Sequence, residues 1–177
     1  MAQTKTIELR WMEPETYLNL INNAYTWLPG VYTITKTYAG NTKTTYIGIT
    51  INFKTRFGQH TAAGEKIKNL GPSTKISMAP VLPFTKDGKV YRDILEDIES
   101  ILIYAVEPHD NVDKKYSCNL RSNLNIILKN TGYRIPGIPP MLNGKDIEKM
   151  SKENPRERPK TVSKQYKPLE YELRWDW

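Results

Sequence analysis

The sequence is poor in the residues that staple small proteins together. Among 177 residues there is one cysteine, Cys118, and there are two histidines, His60 and His109. A lone thiol closes no disulfide within the chain, which suits the reducing cytoplasm. These residues also fall short of the four ligands a structural zinc site takes, so a zinc finger is excluded. No apolar run approaches the ~18 residues of a membrane span. The opening stretch, Met1 to Trp11, lacks the apolar segment of a secretory leader. These absences predict a soluble, cytoplasmic protein with no membrane partner.

What is present is positive charge. Lys and Arg number 26 against 19 Asp and Glu, for a formal net charge of +7. Such a surplus favours polyanionic partners, either nucleic acid or an anionic membrane surface, without choosing between them. Hydrophobic residues make up 38% of the chain, enough for a core in one domain with extensions.

Pattern along the chain divides it into three. Residues 1–27 read as a lead-in helix, with Tyr17, Leu18, Ile21 and Tyr25 on one face, ended by Pro29-Gly30. Residues 28–112 read as the core. Val31 to Tyr38 and Thr44 to Ile49 are rich in β-branched and aromatic residues, and Ala39-Gly40-Asn41-Thr42 joins them as a hairpin. Asn52 is placed to cap a helix through Phe53, Phe57 and His60. Lys75 to Leu82 reads as a third strand. From Tyr91 to Val106 an apolar stripe recurs at helical spacing, and Pro108 stops it. Residues 113–177 read as an extension: a helix over Leu120 to Leu128, a stiff Ile135–Pro140 connector, and a basic, extended tail from residue 145. The fold class expected is α/β (α+β): a small, mainly antiparallel three-stranded sheet flanked by helices.

Several residues with chemical potential fall at set intervals. Gly30-Val31-Tyr32 opens the first strand and Tyr46-Ile47-Gly48 closes the second. Arg56 follows Tyr46 by ten residues, and His60 lies one helical turn further, on the same face. Glu99 lies at the edge of the apolar stripe, with Leu95, Leu102 and Ile103 one turn away. A carboxylate there needs a partner, a proton or a metal. Pro108 and Asn111 follow. In order and spacing this set resembles the GIY-YIG nuclease family. Val31 stands in place of the Ile of the first triplet, and His60 is similar to the homing and restriction branches. The resemblance covers residues 28–112.

The resemblance implies a metal-dependent endonuclease that hydrolyses phosphodiester bonds in DNA. It implies that Glu99 holds a divalent cation, Mg2+ with Mn2+ as a substitute, and that Arg56 grips the phosphate. Tyr32 serves as general base or positions the attacking water, with Lys43 in the hairpin loop helping its phenol lose a proton. His60 competes for the role of base, and Tyr46 with His60 orients water and phosphate. Gly30, Gly48 and Asn111 are structural at the site. Lys54, Lys66, Lys68 and Lys75 flank it as candidate DNA contacts, and the tail residues Arg156, Arg158, Lys160, Lys164 and Lys167 are candidates to wrap DNA or a partner subunit.

Singly, each residue has a plainer reading: strand aromatics, a solvated Arg56, a Glu99 paired with a lysine. His109, Cys118 and the four tryptophans are assigned to structure, surface or packing. Three functions stay open: a restriction or mobile-element endonuclease, a structure-specific repair nuclease, or a binding module without catalysis. A homodimer or a targeting partner is open as well.

Overall fold

The computed structural model describes residues 3–59, 61–62, 65–66, 71–82, 88–111 and 114–157. In chain order the elements are β1 (Thr4–Trp11), α1 (Tyr17–Leu20), a 3-10 turn (Ala24–Trp27), β2 (Gly30–Tyr38), β3 (Asn41–Thr50) and α2 (Phe53–Gln59). Then come β4 (Thr61–Ala62), β5 (Glu65–Lys66), β6 (Thr74–Pro80), α3 (Gly88–Val106), β7 (Asn125–Gly132), β8 (Met141–Asn143) and α4 (Gly144–Glu153). The fold is mixed α and β. Its central unit is an antiparallel three-stranded sheet in the order β3-β2-β6.

The β2–β3 hairpin forms because its turn residues take the required backbone. Ala39 and Gly40 have φ of 48° and 81°. Two successive left-handed residues match the twist of the flanking strands. Period-two alternation then gives the sheet two apolar faces. Val31, Ile47 and Ala79 face one core with α3, while Tyr32, Ile34, Ile76 and Met78 face another with Phe53 and Phe57 of α2. The α3 stripe (Ile94, Leu95, Ile98, Ile101, Leu102) is fully buried.

Both edges of this sheet are covered, which removes unpaired main-chain groups that would template aggregation. On the β6 edge, Met12 N–H donates to Met78 O at 2.8 Å and Glu15 exchanges hydrogen bonds with Ile76. On the β3 edge, Asp110 N–H donates to Thr45 O at 2.7 Å. The Asn111 amide then mimics a strand: it accepts from Ile47 N–H at 2.9 Å and donates to Ile47 O at 2.8 Å.

Four expectations need correction. Residues 1–27 are not a simple lead-in helix: Thr4–Trp11 is a strand that buries Ile7, Leu9 and Trp11 and pairs in parallel with β7. The expected stripe over residues 17–25 shrinks to a four-residue helix that buries Leu20 and leaves Leu18 and Tyr25 exposed. The helix expected over Leu120 to Leu128 is instead irregular chain to residue 124 and then the start of β7, with Ile126 and Leu128 fully buried at strand spacing. Leucines four apart imitate a helix, but the parallel pairing with β1 sends alternate residues inward and decides the matter.

The tail expected from residue 145 begins instead as α4. Asn143 caps it, accepting from Lys145 N–H at 3.1 Å, and Ile147 and Ser151, one turn apart, are buried. A helix that buries one side chain per turn reads as charged sequence. Gly144 lets it approach α3, since a Cβ there would lie 2.8 Å from Ile101 Cδ1. The Ile135–Pro140 connector also belongs to the core, burying Ile135 and Ile138, while Pro136 O accepts from Thr44 Oγ1 at 2.6 Å. Among the described residues no helix is long and apolar enough to cross a membrane.

Candidate active site

Tyr32 and Gly48 face each other across the hairpin, and Tyr46 faces Ile34 two pairs further on. All of them project on the α2 side of the sheet. The glycine is a steric requirement: a Cβ at Gly48 would lie 2.7 Å from the Tyr32 hydroxyl and 2.8 Å from the Tyr46 ring. Gly30 is equally confined, for a Cβ there would strike Ala79 O and lie 2.9 Å from Phe53 Cζ. The glycines thus let one tyrosine ring lie on the sheet and let α2 close over it.

Tyr32 is fully buried. Its ring meets Phe57 edge-on at 5.1 Å between centroids, and Tyr46 lies at 6.0 Å. Asn52 Oδ1 accepts from Thr55 N–H at 3.0 Å and so caps α2. That fixes the helix so that half-buried Arg56 reaches inward, its Nε donating to the Tyr32 hydroxyl at 3.4 Å. Arg56 and Tyr32 also hydrogen-bond Tyr46.

The electrostatics follow from this packing. Burial, followed by the neighbouring Tyr46, pushes the Tyr32 phenol well above its ordinary pKa, against the opposing pull of Arg56. Burial and then the Glu99 carboxylate push Tyr46 up as well. Burial works against the Arg56 charge, but the two tyrosines outweigh it and hold the guanidinium above its ordinary value. At neutral pH the site therefore holds two protonated phenols around a guanidinium. Glu99 acts on both tyrosines, which joins α3 to the cluster. Its carboxylate is largely shielded and accepts from Lys114 Nζ at 2.6 Å.

Residues 28–88 match the family model of the GIY-YIG catalytic domain. Over this stretch the chain is similar to a GIY-YIG catalytic domain. The match takes in Gly30, Tyr32, Tyr46, Gly48 and Arg56, and it ends before Glu99 and Asn111. GIY-YIG domains are nuclease domains, they generally depend on a divalent metal, and their substrate is DNA. No curated protein and no solved structure matches the chain.

The structure brings Tyr32, Tyr46, Arg56 and Glu99 together. Asn111 stays apart from the phenols and fastens the β3 edge beneath them. Lys43 is not brought in. It lies within β3 opposite Lys36, four pairs along from Tyr32, which at strand rise is roughly 13 Å. It stands beyond the register shift between Ile34 and Thr35, at the turn end of the hairpin, so its assistance to the Tyr32 phenol is withdrawn.

Lys54 and Lys75 are exposed. Lys66 lies in β5, while His60, Lys68, Arg158, Lys160, Lys164 and Lys167 lie outside the described residues. Trp27 is exposed rather than packed, with Lys54 Nζ 4.4 Å from its ring centroid. Arg156 is tied into the fold: it donates to Tyr104 O at 2.7 Å and Lys115 O at 2.9 Å and pairs with Glu107 at 2.8 Å. Sequence reasoning missed Lys114. It follows Glu99 by fifteen residues, in a loop with no periodicity, so no spacing rule points to it.

Proposed function

We propose that the protein is a metal-dependent DNA endonuclease of the restriction or mobile-element type, acting through Tyr32, Tyr46, Arg56, His60 and Glu99. The observation that carries this reading is the convergence of buried Tyr32, half-buried Tyr46 and Arg56 within hydrogen-bonding reach of one another, with the shielded Glu99 carboxylate acting on both phenols through its charge. The donor set suits Mg2+. Among the described residues no group of three or more His, Cys, Asp or Glu could hold a metal, so a cation would take the Glu99 oxygen with water and phosphate. That the carboxylate already carries an ammonium supports its fitness for a cation. When bound, the metal supplies charge to polarise the scissile phosphate and offset the leaving oxygen.

The chain's own residues do the rest. Arg56 binds the phosphate and offsets the charge that develops on it. The hydroxyls of Tyr32 and Tyr46 orient the phosphate and the attacking water, as neutral groups. His60 takes the water's proton, because its ordinary pKa of about 6.5 suits the task and the buried phenol's does not. The basic surplus of the chain favours the DNA backbone as a partner.

Purified protein should cut plasmid DNA with Mg2+ and stop with EDTA or Glu99→Ala. Discrete fragments would support a sequence-specific enzyme. Random nicking would point to a nonspecific one, and intact plasmid with cut branched DNA would favour repair. No cleavage of any DNA would leave a binding module.

The assignment of the base has its own test. A base must be unprotonated to act, so the cleavage rate should rise with pH through about 6.5 and then level off. His60→Ala should lower the plateau by about 10²–10⁴. If Tyr32 were the base, its raised pKa would make the rate keep climbing into strong alkali, and Tyr32→Phe alone would abolish that climb.

A further inference from the structure

The Glu99 carboxylate is engaged by a residue outside the segment that matches the family. Lys114 Nζ lies 2.6 Å from Glu99 Oε2, with 27% and 16% of the two side chains exposed. This differs from a solvated surface pair such as Lys149–Glu153, at 74% and 61%. The ammonium has a second anchor, the main-chain oxygen of Glu96 at 3.4 Å, one turn earlier on α3. The Lys114 backbone has φ of 63°, a conformation that lysine seldom takes and that persists only where the surroundings impose it. The loop is thus shaped to deliver this cation to this carboxylate.

We propose that Lys114 is a built-in competitor for the divalent cation at Glu99, holding the carboxylate in the free protein and releasing it when the cation arrives. The inference rests on Glu99 being the metal ligand. A metal ion coordinated by the same oxygen would stand within a few ångströms of the ammonium. Like charges at such range repel, the more so where solvent is partly excluded. The ammonium must therefore withdraw, and the Glu96 oxygen gives it somewhere to stay. Lys114 is a positioning residue in this account: it lowers the metal affinity of the free protein below what Glu99 alone would set.

The test is a titration of Mn2+ alone into the full-length protein without DNA, read by the electron paramagnetic resonance of free Mn2+. Lys114→Met should bind Mn2+ about tenfold more tightly than the parent, while Lys114→Arg, which keeps the charge, should stay close to it. Lys114→Gly provides a second removal of the ammonium. Glycine accepts the positive φ without strain, so this variant separates loss of the ammonium from any backbone strain at the position. If the Met and Gly variants bind no more tightly than the parent while Glu99→Gln weakens binding, Lys114 is only structural and Glu99 remains the ligand. If Glu99→Gln binds Mn2+ as the parent does, the metal site itself is misassigned and the proposal falls with it.

Discussion

Arg56→Ala should slow DNA cleavage by about 10²–10³, the usual loss when one charged donor to a developing oxyanion is removed. The guanidinium is well placed for that part. It is half-buried, so its field is less screened than on an open surface, and it is aimed by its hydrogen bond to Tyr32. The loss should appear mainly in kcat, because a group that binds developing charge acts more on the transition state than on bound substrate. Arg56→Lys should recover little, since a point charge on a flexible stem cannot reproduce a planar fork held between two phenols. Removing the arginine also takes a donor from buried hydroxyls, which costs about 1–3 kcal/mol in stability. The rates therefore have to be compared well below the variant's melting temperature. A variant that stays folded and cuts at the parent's rate would end the assignment.

The parts of this site that were legible in the sequence are those set by local geometry. The Ala39-Gly40 turn starts the hairpin register, and turn chemistry is written in adjacent residues; the one-residue shift between Ile34 and Thr35 that then sets Gly48 opposite Tyr32 is not. The α3 stripe announces a helix buried on one face, and Asn52 announces where α2 begins. The illegible parts depend on partners far away in the chain. β1 and β7 are separated by more than a hundred residues, and neither segment shows that the other will lie beside it in parallel. α4 was hidden for a different reason. Its single buried Ile147 meets α3 through a glycine, so the packing signal is the absence of a side chain. Lys114 combines both difficulties, being delivered by a strained loop to a carboxylate on another element.

A fragment limited to residues 28–112 should fail to fold, although it would contain every residue of the candidate site. The reason lies in what covers α3. Its outer neighbours Cys118, Ile126, Leu128, Ile135, Ile138, Leu142 and Ile147 are all buried with it in one core, together with Ile7, Leu9 and Trp11 of β1. Each such side chain contributes roughly 1.5–3 kcal/mol when buried. Cutting these segments away would also spare the entropy of ordering them, so their sum is not the net effect. What decides the outcome is the surface left behind: Ile101, Leu102 and Ile103 would face water, and both edges of the central sheet would lose cover from residues 12–15 or rest on an unsupported loop. Domains are marginal by 5–15 kcal/mol in general, and losing several buried contacts exceeds that margin. Asp97 makes the same connection from the polar side. Fully buried, it accepts the N–H groups of Arg121 and Ser122 at 2.6 and 2.9 Å, so α3 itself needs the segment after residue 113. Within the full chain, Ile126→Ala should already cost about 2–5 kcal/mol. Urea denaturation followed by circular dichroism would measure both effects. A cooperative transition in the 28–112 fragment would show that the central sheet and α3 stand alone, and that the extension serves something other than the core.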